Sequence, residues 1–108
     1  MNNRPKYDDE LQDLSTELIK MGATAAQAIE KAMKAIKDSD KELAKEIIEG
    51  DRVINDMEKD IEHRCLRLIL KQQPVARDLR KVSTAIKMVT DIERIGDAAS
   101  DIAEITIH

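Results

Sequence analysis

Residues 39–74, SDKELAKEIIEGDRVINDMEKDIEHRCLRLILKQQP, are the stretch of this chain that decides its fold. Their apolar side chains recur every three or four residues, which is the period of one face of an α-helix. These residues are Leu43, Ile47, Ile54, Met57, Ile61, Cys65 and Leu68, with Gly50 on the same line. The pattern predicts a helix over residues 40–72 that buries this face, Cys65 included, against other elements.

Both ends of this stretch carry signals that stop one helix and start another. Ser39 followed by Glu42 has the spacing of a capping box, which favours the start of a helix. Pro74 disfavours helix in the residue before it and is well tolerated as the first residue of a helix. The sequence therefore predicts breaks at residues 38–40 and 72–74, with a third helix beginning at Pro74.

Apolar side chains at helical spacing continue on both sides of these breaks. They predict helices over residues 7–37 and 74–106, each about 45 Å long at 1.5 Å per residue. Because connections of two or three residues force neighbouring helices to run antiparallel, the expected fold class is all-α. We predict one up-down-up three-helix bundle over residues 1–108. The third helix keeps its pattern to His108, so we expect it to continue in a longer protein; the alternative is a frayed end.

The composition agrees with long helices and excludes several classes of protein. Of 108 residues, 42% are hydrophobic and 37% are charged, and Tyr7 is the one aromatic side chain. This excludes β-sandwiches and barrels, and leaves almost nothing on which nucleic-acid bases could stack. The net charge of −4 also argues against nucleic-acid binding. With no apolar run of ~20 residues, no signal peptide and a single cysteine, we expect a soluble, cytoplasmic protein.

The third helix carries acidic side chains at a spacing that suits a metal ion. Glu93 and Asp97 are four residues apart, so they lie on one helix face, where like charges repel each other unless a cation binds. Carboxylate oxygens are the ligands that hard divalent cations prefer. The alternative interpretation is a solvated acidic surface, which is common in a chain this rich in charge.

The second helix places further oxygen atoms at the same height. If helices two and three turn back on each other at Gln73, Asp51 lies level with Ile95, and Asn55 lies one turn away from Asp51. The pattern alone does not decide whether the two helices turn these faces toward each other. If they do, four oxygen-bearing side chains converge between the helices.

Several segments of the chain match a known family. They are residues 48–55 (IEGDRVIN) with Glu58, residues 72–80 (QQPVARDLR), residues 91–97 (DIERIGD) and residues 18–22 (LIKMG). In order and spacing they resemble the PhoU family over nearly the whole chain. The resemblance implies two tandem three-helix bundles, of which this chain holds one and matches the first. It is either an isolated half or a single-repeat relative that dimerises.

The resemblance also implies a function. PhoU proteins are regulators of bacterial phosphate uptake, not known as enzymes, that repress the phosphate-starvation response when phosphate is plentiful. They link the ATPase subunit of the phosphate ABC transporter to a sensor histidine kinase, so membrane contact would come only through these partners. The family's acidic motif binds metal clusters. Carried onto this chain it is Glu93 and Asp97, with Asp91 as the neighbouring acidic position and Asp78 in the Asp-Leu-Arg segment.

The predicted metal ligands are therefore Glu93, Asp97, Asp91, Asp78 and Asp51. Because all of these ligands offer oxygen, Mg, Mn, Fe or Ca is favoured, and Zn is less suited to a site without Cys or His.

Alternative functions and the assembly state follow from the same patterns. The alternative is a metal-free helical scaffold domain associated with a phosphate transporter. A di-metal carboxylate oxidase is disfavoured, because it requires inward Glu-x-x-His motifs on two helices and this chain has one outward Asp60–His63 pair. We expect a homo-oligomer that pairs through a small-residue face of the third helix. That face is formed by Ala85, Ala98, Ala99 and Ala103.

Overall fold

The computed structural model describes residues 4–70 and 75–108, and in these residues it contains three helices and no strand. They are α1 (Arg4–Asp38), α2 (Lys41–Leu70) and α3 (Ala76–Ile107), packed as a rod of 60 × 17 × 16 Å. The start of α1 lies beside the end of α2, where the Tyr7 hydroxyl donates a hydrogen bond of 3.0 Å to the Leu68 carbonyl. The predicted all-α, up-down-up three-helix bundle is confirmed.

The helix limits differ from the predicted ones by a few residues. Helix α1 begins at Arg4 rather than residue 7, and Pro5 occupies a first-turn position where no intrahelical N–H bond is needed. Helix α2 begins at Lys41, one residue later than predicted. The predicted break at residues 72–74, with Pro74 opening the third helix, lies outside the described residues. Within them, α3 begins at Ala76 after an extended Val75.

The predicted capping box of Ser39 and Glu42 is wrong, as the corner between α1 and α2 shows. Ser39 adopts a left-handed conformation with φ of 53°, and the Asp40 N–H donates to the Ala35 carbonyl at 2.8 Å, so Ser39 terminates α1. The residue that caps α2 is Asp40, whose Oδ1 accepts a hydrogen bond of 3.0 Å from the Leu43 N–H. Ser39 and Glu42 form no box, because the residue that ends one helix cannot also take the extended cap conformation of the next.

Two clusters of buried side chains hold the helices together. The first is formed by Tyr7, Leu14, Leu18, Met21, Ala25, Ile54, Ile61, Cys65, Leu68, Val82, Ala85 and Val89. The second, near the α1–α2 corner, is formed by Ala32, Ala35, Ala44, Ile47, Ala99 and Ala103. The predicted core position of Cys65 is confirmed, and burial raises the pKa of its thiol.

The small-residue face of α3 does not form the outer surface that the sequence suggested. Ala85, Ala99 and Ala103 are buried inside the bundle, and of the four predicted alanines only Ala98 is exposed. Small side chains let the helices approach closely, and this face of α3 packs against the other two helices. A homo-oligomer would have to use another surface.

Replacing Ser39 by Gly should stabilise the protein. A left-handed conformation costs an L-residue about 1–2 kcal/mol, and the greater freedom of Gly in the unfolded chain offsets part of the gain. We expect urea denaturation of Ser39→Gly to give a free energy of unfolding higher by about 0.5–1 kcal/mol. The β-branched control Ser39→Val should lower it. Equal stabilities for both variants would contradict the corner described above.

The glycines of α2 and α3 should respond in opposite directions to substitution. A Cβ at Gly50 would meet nothing within 4 Å, so Gly50→Ala should raise the free energy of unfolding by the helix-propensity difference of about 1 kcal/mol. A Cβ at Gly96 would lie 3.1 Å from Ile54 Cδ1 and 3.2 Å from its Cγ2, and the branched Gly96→Val should destabilise the bundle. Thermal melts of the two variants test both predictions. A higher melting temperature for Gly96→Val would show that α2 and α3 can move apart at no cost in stability.

Candidate metal site between the second and third helices

Glu93 and Asp97 form a hydrogen-bonded carboxyl pair on α3. They lie one helical turn apart, and the protonated Glu93 carboxyl donates to the Asp97 carboxylate. This hydrogen bond, then partial burial, then the negative charges of Asp97, Glu58 and Asp51 raise the pKa of Glu93 to about 7. Glu93 therefore exchanges its proton near neutral pH, the range in which a cation can compete for it.

Helix α2 turns two more carboxyl groups toward this pair. Asp51 and Glu58 are seven residues apart, so they share a helix face. Burial and then the charges of Asp97 and Asp101 raise the pKa of Asp51. The pKa of Glu58 is raised by burial, then by Glu62 and Asp97, against the opposing charge of Lys59. The sequence did not decide whether the acidic sides of α2 and α3 turn toward each other. In the structure they do, across the α2–α3 interface.

One oxygen atom of Asp51 is buried without a hydrogen-bond partner. Its Oδ1 is shielded from solvent and accepts no hydrogen bond. A buried acceptor without a partner costs on the order of 1–3 kcal/mol, so such an atom calls for an explanation. A cation between the helices would satisfy it.

The close approach of α2 and α3 at Gly96 brings the acidic groups together. The absence of a side chain lets Ile54 pack directly on the α3 backbone, and Asp51 Oδ1 lies 3.5 Å from where a Cβ of Gly96 would be. The predicted level of Asp51, opposite Ile95, is correct to within one residue. Asn55, also expected nearby, is half-buried one turn further along α2.

Two of the five predicted ligands lie away from the cluster. Asp91 is exposed and forms a long ion pair of 4.0 Å with Arg94, on the side of α3 away from Glu93. Asp78 is buried in the first turn of α3, fifteen residues before Glu93 and thus about 22 Å away at 1.5 Å per residue. Glu58, in contrast, was not among the predicted ligands. Its spacing of seven residues from Asp51 was the signal that could have identified it.

The carboxyl groups are near one another but are not assembled as ligands. Among residues 4–70 and 75–108, no three Asp, Glu, His or Cys side chains are close enough in their present rotamers to hold an ion. The donor set nevertheless fits a hard cation: oxygen atoms only, from two rigid helices, with one shielded oxygen lacking any partner. The residues that would hold an ion are Asp51, Glu58, Glu93 and Asp97.

Comparison with known proteins identifies the family. Residues 18–106 match the PhoU domain. The chain belongs to the PhoU family. A chain of 108 residues corresponds to a single PhoU repeat.

Several curated PhoU relatives are similar over nearly the whole chain. The phosphate-specific transport system accessory protein PhoU homolog of Clostridium acetobutylicum is 45% identical over 102 residues, which cover 94% of this chain and 47% of that protein. The Aquifex aeolicus homolog is also 45% identical, and the Escherichia coli K12 protein is 38% identical over 95% of this chain and 43% of its own length. The chain thus spans less than half of these relatives.

The fold agrees with a solved PhoU structure as well. The crystal structure of PhoU from Pseudomonas aeruginosa superposes with a TM-score of 0.91 and is 39% identical. The alignment covers 94% of this chain and 48% of that one. The fold therefore leads to the same conclusion as the sequence: the three-helix unit is one PhoU repeat. In the part of the chain that the structure describes, no helix has the length and apolar character of a membrane span.

The acidic cluster should make the protein less stable as the pH rises toward neutrality. Folding raises the pKa of Glu93 from 4.5 to about 7, so the folded state holds a proton that the unfolded state has lost. Its contribution is fully present below pH 4.5 and is lost as the pH passes through about 7. In metal-free buffer, the free energy of unfolding should fall between these pH values, and Glu93→Gln should reduce the slope.

Glu49→Gln provides the matched control for this measurement, because Glu49 is exposed on α2 away from the cluster. It should leave the slope as in the natural sequence. Parallel pH profiles for the natural chain and Glu93→Gln would contradict the raised pKa of Glu93.

Proposed function

We propose that this chain is a metal-binding PhoU repeat that regulates phosphate uptake and phosphate-starvation signalling and catalyses no reaction. Its curated relatives are named accessory proteins of the phosphate-specific transport system. In this proposal it acts in the cytoplasm by docking to the ATPase subunit of the transporter and to a sensor histidine kinase. A homo-oligomer, or a second repeat in a longer chain, completes the assembly.

The observation that carries the metal-binding part is the state of the α2–α3 cluster. A shielded Asp51 oxygen has no hydrogen-bond partner, and the neighbouring Glu93 carboxyl, hydrogen-bonded to Asp97, has a pKa raised to about 7. Four mutually repelling carboxyl groups on two packed helices weaken a fold unless positive charge offsets them. A bound cation would supply that charge and join α2 to α3.

Each residue has a definite part in this proposal. Glu93 and Asp97 provide two carboxylates on one face of α3 once Glu93 has lost its proton. Asp51 provides the oxygen that is already desolvated, and Glu58 lies two turns further along the same face of α2. The oxygen-only set favours Mg, Mn or Fe over Zn. Asp91 and Asp78 have no place in this site because of their positions on α3.

A metal titration tests the proposal. Calorimetry with Mn²⁺, Mg²⁺ and anaerobic Fe²⁺ should show binding near pH 6.5, with protons released as Glu93 ionises; buffers of different ionisation enthalpy measure this release. A metal at a hundredfold excess over its dissociation constant should stabilise the fold by about 2.7 kcal/mol, seen as a higher melting temperature. The double variant Glu93→Ala with Asp97→Ala should lose both effects.

The control keeps the net charge of that variant and leaves the cluster intact. Asp91→Ala with Glu49→Ala removes one Asp and one Glu that are exposed outside the site. It should bind metal as the natural sequence does. If the metals shift neither the natural chain nor any variant, or shift all of them equally, the metal-free scaffold function replaces this one.

A further inference from the structure

A groove runs between α1 and α3, on a face of the bundle away from the acidic cluster of α2 and α3. Its cavity has a volume of 830 Å³, and the described residues that line it belong to α1 and α3. Leu14, Leu18 and Ala85 form an apolar floor, and these three side chains are buried. The floor belongs to the core, so the groove is a fixed feature of the bundle and not a surface irregularity.

The rim of this groove is positively charged. Arg77, Arg80 and Lys81 stand on the α3 side, in the first two turns of that helix, where its dipole adds positive potential. Among the described lining residues, Asp8 is the one acidic side chain. The excess of cations is local, because the chain as a whole carries −4. An occupant of this groove should therefore carry negative charge where it meets the start of α3.

Exposed apolar side chains extend the groove beyond its cavity. Met88 lines the cavity, and Ile95 follows it by seven residues on the same face of α3. On α1, Ile19 lies four residues after the lining residue Ser15, and Met33 follows Ile19 by four helical turns. The exposed fractions of Ile19, Met33, Met88 and Ile95 are 72%, 56%, 45% and 43%. We call this line of four side chains the α1–α3 strip.

The two halves of the strip meet at the level of Met88 and Ile19. A Cβ at Gly22 of α1 would lie 3.8 Å from Ile92 Cδ1 of α3, which fixes their relative height. Because α1 and α3 run parallel in an up-down-up bundle, Met88 and Ile19 come to similar levels, and Ile95 and Met33 follow along the rod. The groove and the strip together extend from Asp8 to Met33, about 37 Å at 1.5 Å per residue.

The length of this surface decides the kind of occupant. A small anion would meet the cations of the rim but would leave the α1–α3 strip exposed. A helix of about 25 residues covers both, by laying its apolar face between α1 and α3 and completing a four-helix arrangement. Charge complementarity with Arg77, Arg80 and Lys81 requires acidic side chains at one end of that helix.

We propose that the α1–α3 groove binds an amphipathic helix of a partner protein whose acidic end lies over Arg77, Arg80 and Lys81. The inference rests on the proposed docking function, for which it names the surface and the chemistry of the partner. It does not depend on the metal site, because the groove is formed by α1 and α3 and the acidic cluster by α2 and α3.

Binding of a designed peptide measures this directly. The probe is a fluorescently labelled helix of about 25 residues with Leu at spacings of three and four and Glu on both flanks of one end. Fluorescence anisotropy should give a dissociation constant below about 100 µM that weakens with added salt. Met88→Asp in the protein should weaken binding at least about tenfold, since it places a charge in the apolar contact.

A charge exchange separates docking from a general loss of structure. Arg77→Glu with Arg80→Glu should weaken binding of the Glu probe about tenfold and should bind a second probe, with Lys in place of Glu, more tightly than the natural chain does. The control Lys34→Glu with Arg67→Glu makes the same charge change at exposed positions outside the groove and should bind both probes as the natural chain does. Circular dichroism verifies that every variant is folded.

Four results would overturn the proposal. They are absence of binding by the Glu probe, equal effects of the groove and control variants, displacement of the probe by millimolar inorganic phosphate at constant ionic strength, and a dimer of the natural chain that Met88→Asp dissociates. The last two would assign the groove to a small anion or to a second copy. A metal titration of the same samples keeps this outcome separate from that of the metal site.

Discussion

The close contact of α2 with α3 at Gly96 is the constraint on which the rest of the structure depends. Without a side chain at this position, Ile54 packs on the backbone of α3 and the Asp51 carboxyl group is carried into the interface. Helix pairs separated by larger residues lie farther apart, which would return Asp51 to solvent. One missing Cβ therefore links the packing of the core to the chemistry of the acidic cluster.

The cluster works against the stability of the bundle that supports it. Desolvation and mutual repulsion raise the pKa values of Asp51, Glu58 and Glu93, so each of them is harder to ionise than it would be in water. Surface carboxylates without a function would gain by turning outward. That these half-buried side chains lie at the edge of the α2–α3 interface agrees with a role that requires charge, because strained and destabilising groups concentrate where proteins bind ligands.

Helix α3 takes part in both candidate surfaces, and helical geometry keeps them apart. Glu93 and Asp97 face α2, whereas Arg77, Lys81, Met88 and Ile95 face the groove with α1. Between them, the buried line through Val82, Val89, Gly96 and Ala103 anchors the helix in the core. A three-helix bundle is thin enough that one helix can be buried on one side and still present two chemically different faces.

The sequence by itself determined the three helices, their antiparallel order, the buried position of Cys65 and the level of Asp51 opposite the Glu93–Asp97 turn. These features follow from the period of apolar residues and from chain length, which are local properties. The family, too, could be recognised from short motifs such as DIERIGD at residues 91–97. The corner at Ser39 was harder to predict from the sequence, because Ser39 and Asp40 both suit a helix start. Only the backbone path shows that Ser39 ends α1 and Asp40 caps α2.

The tertiary structure alone decided which faces meet. The rotation of α2 and α3 about their axes turns Glu58 toward Asp97 and leaves Asp91 on the outer side, and no spacing within one helix fixes that rotation. It also buries Ala85, Ala99 and Ala103 inside the bundle and leaves Ile19 and Met33 exposed along α1. Such choices depend on the summed packing of three helices at once, so they exist only when the bundle is assembled.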